Sequence, residues 1–200
     1  PILSEMDNAG YYSMEVWGGA TFDTCLRYLN EDPWERLRKI RANVKHTKLQ
    51  MLSRGQNILG YKNYPDDIVE RFHKSAIYEG IDIVRVFDAL NDIRNLRKSI
   101  ETINKEGAHC QCAISYTKSP VHTKKYYLDL VKDFENAGAD SICIKDMSGI
   151  LLPYEAYDLV KSLKEITNLP LELHTHCTSG VAEMTVLKAI EAGIDIVDTA

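Results

Sequence analysis

Five times along the chain a small or acidic residue is followed by glycine and then by an apolar run: Ala9-Gly10, Glu79-Gly80, Glu106-Gly107, Ala137-Gly138 and Ala192-Gly193. Three of these continue as Gly-Ile-Asp-Ile, Gly-Ala-Asp-Ser and Gly-Ile-Asp-Ile. Glycine is the usual residue where a helix stops in a left-handed turn, because it has no Cβ to clash. The glycines stand 70, 27, 31 and 55 residues apart. Halving the two long spacings predicts further joins near residues 45 and 166. Asn43 and Asn168 lie there, and asparagine is the second choice for such a cap. The recurrence describes repeated αβ units.

The segments between joins agree with that reading. Ile93, Leu96, Ile100 and Ile103 share a helical face. So do Tyr127, Leu130, Val131 and Phe134, and also Ala156, Leu159, Val160, Leu163 and Ile166. Pro33, Pro65 and Pro153 sit where a first helical turn would begin, the place that tolerates a missing N–H. Strands are expected at Tyr12–Trp17, Lys48–Ser53, Ile81–Phe87, Cys110–Tyr116, Ser141–Ile144, Leu169–His174 and Ile194–Val197, with a helical remnant at Pro1–Ala9. Several are continuous apolar runs, as parallel strands covered on both faces should be. The expected class is α/β, a (β/α)₈ TIM barrel lacking its first strand and its C-terminal end, since a closed barrel takes eight strands and about 250 residues. An open doubly wound sheet is the weaker alternative, because no Gly-rich phosphate loop follows an early strand.

Composition removes several functions. Hydrophobic residues make up 44% and charged residues 26%, so the chain is globular. With 24 basic against 29 acidic residues and no Lys/Arg block, a nucleic-acid backbone is not an expected partner. No apolar run approaches the ~20 residues that span a bilayer, so direct membrane insertion is not expected. Five cysteines, odd in number and without a CxxC pair, favour a reduced, cytoplasmic setting.

In a βα barrel the working residues sit where strands end. Here apolar strands end in Ser53-Arg54-Gly55-Gln56-Asn57, Phe87-Asp88, Lys145-Asp146, His174-Thr175-His176 and Asp198. His174 and His176 are two apart, so an extended strand turns both to one face, with Cα atoms about 6.6–6.8 Å apart. Two imidazoles so placed can converge on one metal ion; the alternative is two hydrogen-bonded or exposed histidines. Lys145 ends the preceding strand. An ammonium some 4 Å from a divalent cation is repelled by roughly 8 kcal/mol at an effective dielectric of 20. Lys145 therefore fits only if neutral or converted by CO₂ to an anionic carbamate; otherwise it forms a salt bridge. Asp146 alternates to the other face. The fork of Arg54 matches a carboxylate with two parallel hydrogen bonds, and Gly55 would let a ligand near the backbone; a structural ion pair is the alternative. Trp17-Gly18-Gly19 reads equally as a flexible turn. Cys110 and Cys112 are packing residues before they are soft-metal ligands.

Several motifs, in order, resemble one family: GYYSMEVWGGATFD (Gly10–Asp23), LSRGQNILGYKNYP (Leu52–Pro65), IDIVRVFDALND (Ile81–Asp92), SPVHT (Ser119–Thr123), IKDMSG (Ile144–Gly149) and HTHCTSG (His174–Gly180). They resemble the carboxyltransferase barrel of pyruvate carboxylase, transcarboxylase and the α subunit of biotin-dependent oxaloacetate decarboxylase, over essentially all of residues 1–200. The resemblance implies a divalent metal, zinc ahead of manganese or cobalt, held by carboxylated Lys145, by His174 and His176, and by an Asp upstream of Pro1. It implies that Arg54 holds a keto acid, that Tyr61 and Asp23 line the substrate and biotin pocket, and that Asp82 and Asp88 flank the same rim. A proton-shuttling Thr would lie beyond Ala200, so the chain alone is expected to be inactive. Pyruvate and oxaloacetate are the implied substrates. Biotin would arrive on a separate carrier domain, because no Met-Lys-Met acceptor is present. A homo-oligomer is the expected assembly.

Within the family, His176-Cys177-Thr178-Ser179-Gly180 looks most like the decarboxylase α subunit, with the stand-alone B subunit of pyruvate carboxylase as the alternative; Ser115 departs from decarboxylases that carry Cys there. Two further classes stand as rivals. One is a Claisen-type metal-dependent lyase or synthase acting on acyl-CoA, which shares the HxH and lacks the Lys-Asp strand end. The other is a non-catalytic scaffold barrel.

Overall fold

A computed structural model describes residues 2–199. A short helix α1 (Ile2–Asp7) precedes strand β1 (Ser13–Gly18), followed by α2 (Gly19–Thr24), a π-helical turn at Cys25–Leu29 and α3 (Pro33–Asn43). Strand and helix then alternate: β2 (Lys48–Ser53), α4 (Asp66–Tyr78), β3 (Ile83–Phe87), α5 (Arg97–Lys105), β4 (His109–Ser115), α6 (Lys124–Ala137), β5 (Ser141–Asp146), α7 (Pro153–Lys164), β6 (Leu171–Thr175), α8 (Ala182–Glu191) and β7 (Ile196–Val197). The strands lie in the order β1-β2-β3-β4-β5-β6-β7. This is the α/β class, with the parallel βα repeat of a TIM barrel. The first residue of the expected N-terminal helix, Pro1, lies outside the described residues.

The chain clusters into two compact units. One takes the sequence up to Val86 and again Arg94–Cys110; the other takes Phe87–Ile93 and the sequence from Gln111 onward. In the first, β1 pairs with β2 and β2 with β3, all parallel. The β1 register slips between Glu15 and Trp17, so Val16 is an extra residue. Such a bulge re-aims the side chains that follow it. Trp17 is thereby buried, where it meets Phe22, Trp34 and Phe72 with ring centroids 5.1–5.8 Å away. In the second unit β4 pairs with β5, β5 with β6 and β6 with β7, again parallel.

The five join glycines all have positive φ, from 76° to 114°. The two interpolated asparagine caps are not formed, and side chains explain why. After α3 the chain leaves through Val44 in an extended conformation. The turn is then closed by Asp7, whose carboxylate accepts the backbone N–H groups of Lys45, His46 and Thr47. Burial pushes the Asp7 carboxyl up, but those donors pull it well below the usual range. After α7 the hydroxyl of Thr167 accepts from Leu169 N, closing that turn without a left-handed residue.

The Gly-Ile-Asp-Ile repeat has a structural role. Asp82 precedes β3, and its carboxylate accepts from Leu49 N on β2 at 2.7 Å and pairs with Arg41 of α3 at 2.8 Å. Asp195 precedes β7, accepts from Leu171 N on β6 at 2.7 Å and pairs with Lys164 of α7 at 2.7 Å. The same clasp thus ties the N-terminal end of a strand to the start of its neighbour and to the helix before it.

Each of five strands also carries one polar residue mid-strand. Gln50 donates to Glu15 at 3.2 Å, and buried Arg85 pairs with Glu15 at 3.4 Å. In the second unit Gln111 donates to Ser141 at 3.2 Å and to Glu172 at 2.7 Å. Gln50, Arg85, Gln111 and Glu172 are buried, so these strands satisfy buried polar groups where the sequence reading expected apolar packing.

Candidate active site

Three neighbouring strands end on one row. The β5–β6 register sets Lys145 beside His174. The β6–β7 register pairs Leu173 with Val197, and Asp198 N donates to Leu173 O at 3.0 Å, which brings Asp198 beside His174 on the other side. His174 Nδ1 is 2.6 Å from Asp198 Oδ2. A carboxylate only accepts, so Nδ1 carries a proton, and in the neutral ring Nε2 holds the lone pair. That Nε2 is buried and has no hydrogen-bond partner among the described residues.

His176 stands across from His174, ring centroids 5.0 Å apart and ring planes at 76°. Burial lowers the pKa of His176, His174 and Lys145 lower it further, and Asp146 opposes them. Its imidazole is thereby biased to the neutral, ligating form. Lys145 is buried, its Nζ 6.0 Å from the centre of the Phe87 ring. Asp146 turns to its own loop, accepting from Ile150 N at 3.0 Å and Leu151 N at 2.9 Å. That loop is locked to the one after β6: Thr178 Oγ1 donates to Ser148 O and Ser179 Oγ to Gly149 O. Gly149 has φ +65°, and a Cβ there would lie 2.6 Å from Thr178 N.

The residues of this row fit a divalent cation. An orphaned buried nitrogen with a free lone pair is a ligand's arrangement, and its carboxylate partner is the usual outer support for a metal-binding histidine. Among the described residues no group of three or more His, Cys, Asp or Glu stands ready to hold a metal ion. Lys145 is the neighbour of His174 in the row.

Arg54 belongs to the first unit. It lines a cavity of about 200 Å³ at the ends of β1 and β2, together with Trp17, Gly18, Gly19, Ala20, Thr21 and Leu52. Gly18 is required there: its φ is +147°, and a Cβ would lie 2.7 Å from Leu52 O. Gly55 has a different use from the expected one. Its φ is +50° and a Cβ would lie 2.6 Å from Asn95 O, so it admits a neighbouring turn, not a ligand. Tyr61 is exposed and stacks on Arg54, 5.1 Å from guanidinium carbon to ring centre. The loop holding both passes through Ile58 at φ +48°, a costly conformation for a β-branched residue, which burial of its side chain sustains.

The remaining predicted residues divide. Asp23, on α2, pairs with Arg27 at 2.6 Å on an exposed face. Asp88, after β3, caps its own loop by accepting from Leu90 N and Asp92 N, while its carbonyl accepts from Ser115 Oγ. Asp82 is not at a C-terminal strand end at all; it precedes β3 and forms the clasp described above. Asn91, at φ +57°, was not anticipated: its amide brackets Ser115, donating to the carbonyl and accepting from the N–H. Its place in the ALND turn is the one signal of it in the sequence. Cys110 and Cys112 form no disulfide and are fully buried, as packing residues are.

A parallel βα repeat with chemistry-bearing strand ends defines a broad class, and a family model described as HMGL-like matches residues 1–200, so the chain belongs to the HMGL-like family. Within it the chain is similar to the B subunit of pyruvate carboxylase from Methanocaldococcus jannaschii, 62% identical over all of this chain and 35% of that protein. It is also similar to the methylmalonyl-CoA carboxyltransferase 5S subunit of Propionibacterium freudenreichii subsp. shermanii, 50% identical over 98% of this chain and 39% of that one. The solved carboxyl transferase domain of Rhizobium etli pyruvate carboxylase with pyruvate matches with a TM-score of 0.96 and 48% identity, over 99% of this chain and 35% of that chain. The chain thus spans about a third of the length of the relatives it matches.

Proposed function

We propose that this chain is the carboxyl-transfer part of a biotin-dependent enzyme of the pyruvate carboxylase type, like the B subunit it resembles, acting on pyruvate and oxaloacetate. The observation that carries the reading is the row of Lys145, His174 and Asp198, with the buried Nε2 of His174 left for a ligand. Similarity to a pyruvate carboxylase B subunit at 62% identity supports that subtype over the decarboxylase α subunit expected from the sequence. Buried Lys145 in the row disfavours the acyl-CoA lyase alternative.

In this reading Arg54 grips the carboxylate of the 2-oxo acid through its fork, which fixes the acid's orientation. Tyr61 covers the guanidinium face, orienting it for that grip. His174 and His176 serve as neutral donors to a divalent metal, zinc suiting imidazole better than manganese does. Lys145 serves as an anionic donor once its amine has given up a proton and added CO₂ to form a carbamate. When bound, the metal polarises the 2-oxo group and carried biotin supplies or takes the carboxyl group. Among the described residues no helix is long and apolar enough to cross a membrane. The five cysteines form no disulfide and suit a reducing cytoplasm.

The test uses the full-length protein with its biotin carrier. Pyruvate should discharge carboxybiotin with formation of oxaloacetate, in a metal-dependent way. Discharge at the same rate with and without pyruvate, or turnover of an acyl-CoA in its place, would sink the reading.

A further inference from the structure

Asp198 is neither a metal donor nor a substrate contact in the reading above. We propose that Asp198 is a positioning residue: its carboxylate fixes the tautomer and aim of His174 and so sets how tightly that histidine holds a divalent cation. The inference rests on the reading of His174 as a ligand. Asp198 is placed by backbone, not by a chance side-chain encounter. Its N–H continues the β6–β7 ladder to Leu173 O, one residue before His174. From that anchor its Oδ2 reaches His174 Nδ1 at 2.6 Å, a short, charge-assisted contact.

The chemistry follows from the two ring nitrogens. With the proton held on Nδ1, the lone pair stands on Nε2, the atom that is buried and unpartnered. With the other tautomer Nε2 would carry a hydrogen and donate no electrons. A carboxylate on Nδ1–H also increases the basicity of Nε2, and loss of such a partner typically costs 10- to 100-fold in metal affinity. The row makes the arrangement cooperative in space: Lys145 abuts His174 from β5 while Asp198 braces it from β7.

The experiment measures Zn²⁺ and Co²⁺ affinity of the full-length protein by chelator competition, and the visible absorption of the Co²⁺ form. Asp198→Asn preserves shape and is expected to weaken binding 10- to 100-fold, while the Co²⁺ band positions and intensities keep the same coordination number. Asp198→Glu keeps the charge and should fall between Asp198→Asn and the unaltered protein. His174→Ala should lose the site. Affinity of both Asp198 variants equal to that of the unaltered protein, with His174→Ala still deficient, overturns the positioning role and leaves the ligand reading intact. A changed coordination number in Asp198→Asn also overturns it, because Asp198 would then be a ligand itself. Full metal content in His174→Ala brings down both.

Discussion

The ring of His73 on α4 is fully buried, with Nδ1 2.8 Å from Val69 O and Nε2 3.0 Å from Ser53 Oγ on β2. The carbonyl can only accept, so Nδ1 donates and Nε2 receives the serine proton. Burial pushes its pKa down to about 4, against the small opposing pull of Val69 O. The unfolded chain therefore binds this proton more readily than the folded one, and stability declines as pH falls from about 6.5 towards 4, by about 3 kcal/mol at most. Urea unfolding at pH 7 and pH 4.5 should show that decline shrinking in His73→Gln. At Arg54, Arg54→Lys keeps the charge and loses the fork. Carboxyl transfer should drop by two orders of magnitude or so, about 2–3 kcal/mol, while metal content stays unchanged. At Lys145, Lys145→Ala should abolish transfer and regain part of it with added short carboxylates. The candidate residues Lys145, His174 and His176 stand out in the sequence because lysine and histidine ending apolar strands are rare enough to notice. The brace on His174 was not legible there, since a pairing between β6 and β7 depends on register. Asp82 misled for a related reason: a polar residue beside an apolar run looks the same at either end of a strand.

At the level of elements, the clasps at Asp82 and Asp195 make a stability prediction. Each carboxylate satisfies a strand-edge N–H and a helix cation, half exposed to water. Asp195→Ala should destabilise by about 1–2 kcal/mol, read as a lower urea midpoint, and leave substrate turnover unaltered. Gln111→Ala removes a donor from buried Glu172 and should cost about 1–3 kcal/mol by the same measure. The periodic glycines marked five of the helix-to-strand joins, since only a residue without Cβ ends a helix cheaply in that conformation. The Asn43 and Asn168 interpolation failed where Asp7 and Thr167 closed the turns with side chains instead. The mid-strand polar file of Glu15, Gln50, Arg85, Gln111 and Glu172 was visible in the sequence, one residue per strand. It went unread because periodicity weighs the apolar majority.

For the whole molecule, a metal that binds the folded chain alone should couple occupancy to stability. At a free metal concentration a hundred times its dissociation constant the gain is about 2.7 kcal/mol. Chelation of the full-length protein should lower its melting temperature accordingly, and His174→Ala should already melt at the chelated value. An unchanged melting temperature on chelation would count against the site. The order of strands places Lys145, His174 and Asp198 on successive elements, so no single segment of sequence holds the centre.

The aspartate clasps sit at the N-terminal ends of strands, and the candidate side chains Lys145 and His174 sit at the C-terminal ends of strands in the same repeat. Heredity can therefore treat the two ends separately. Drift at the reactive ends can change what is bound without loosening the scaffold, and repair of the scaffold need not disturb the chemistry. A mutant library confined to Arg54, Tyr61, Lys145, His174 and His176 should yield many folded members with altered selectivity. A library confined to the Gly-Ile-Asp-Ile segments should yield mostly insoluble ones.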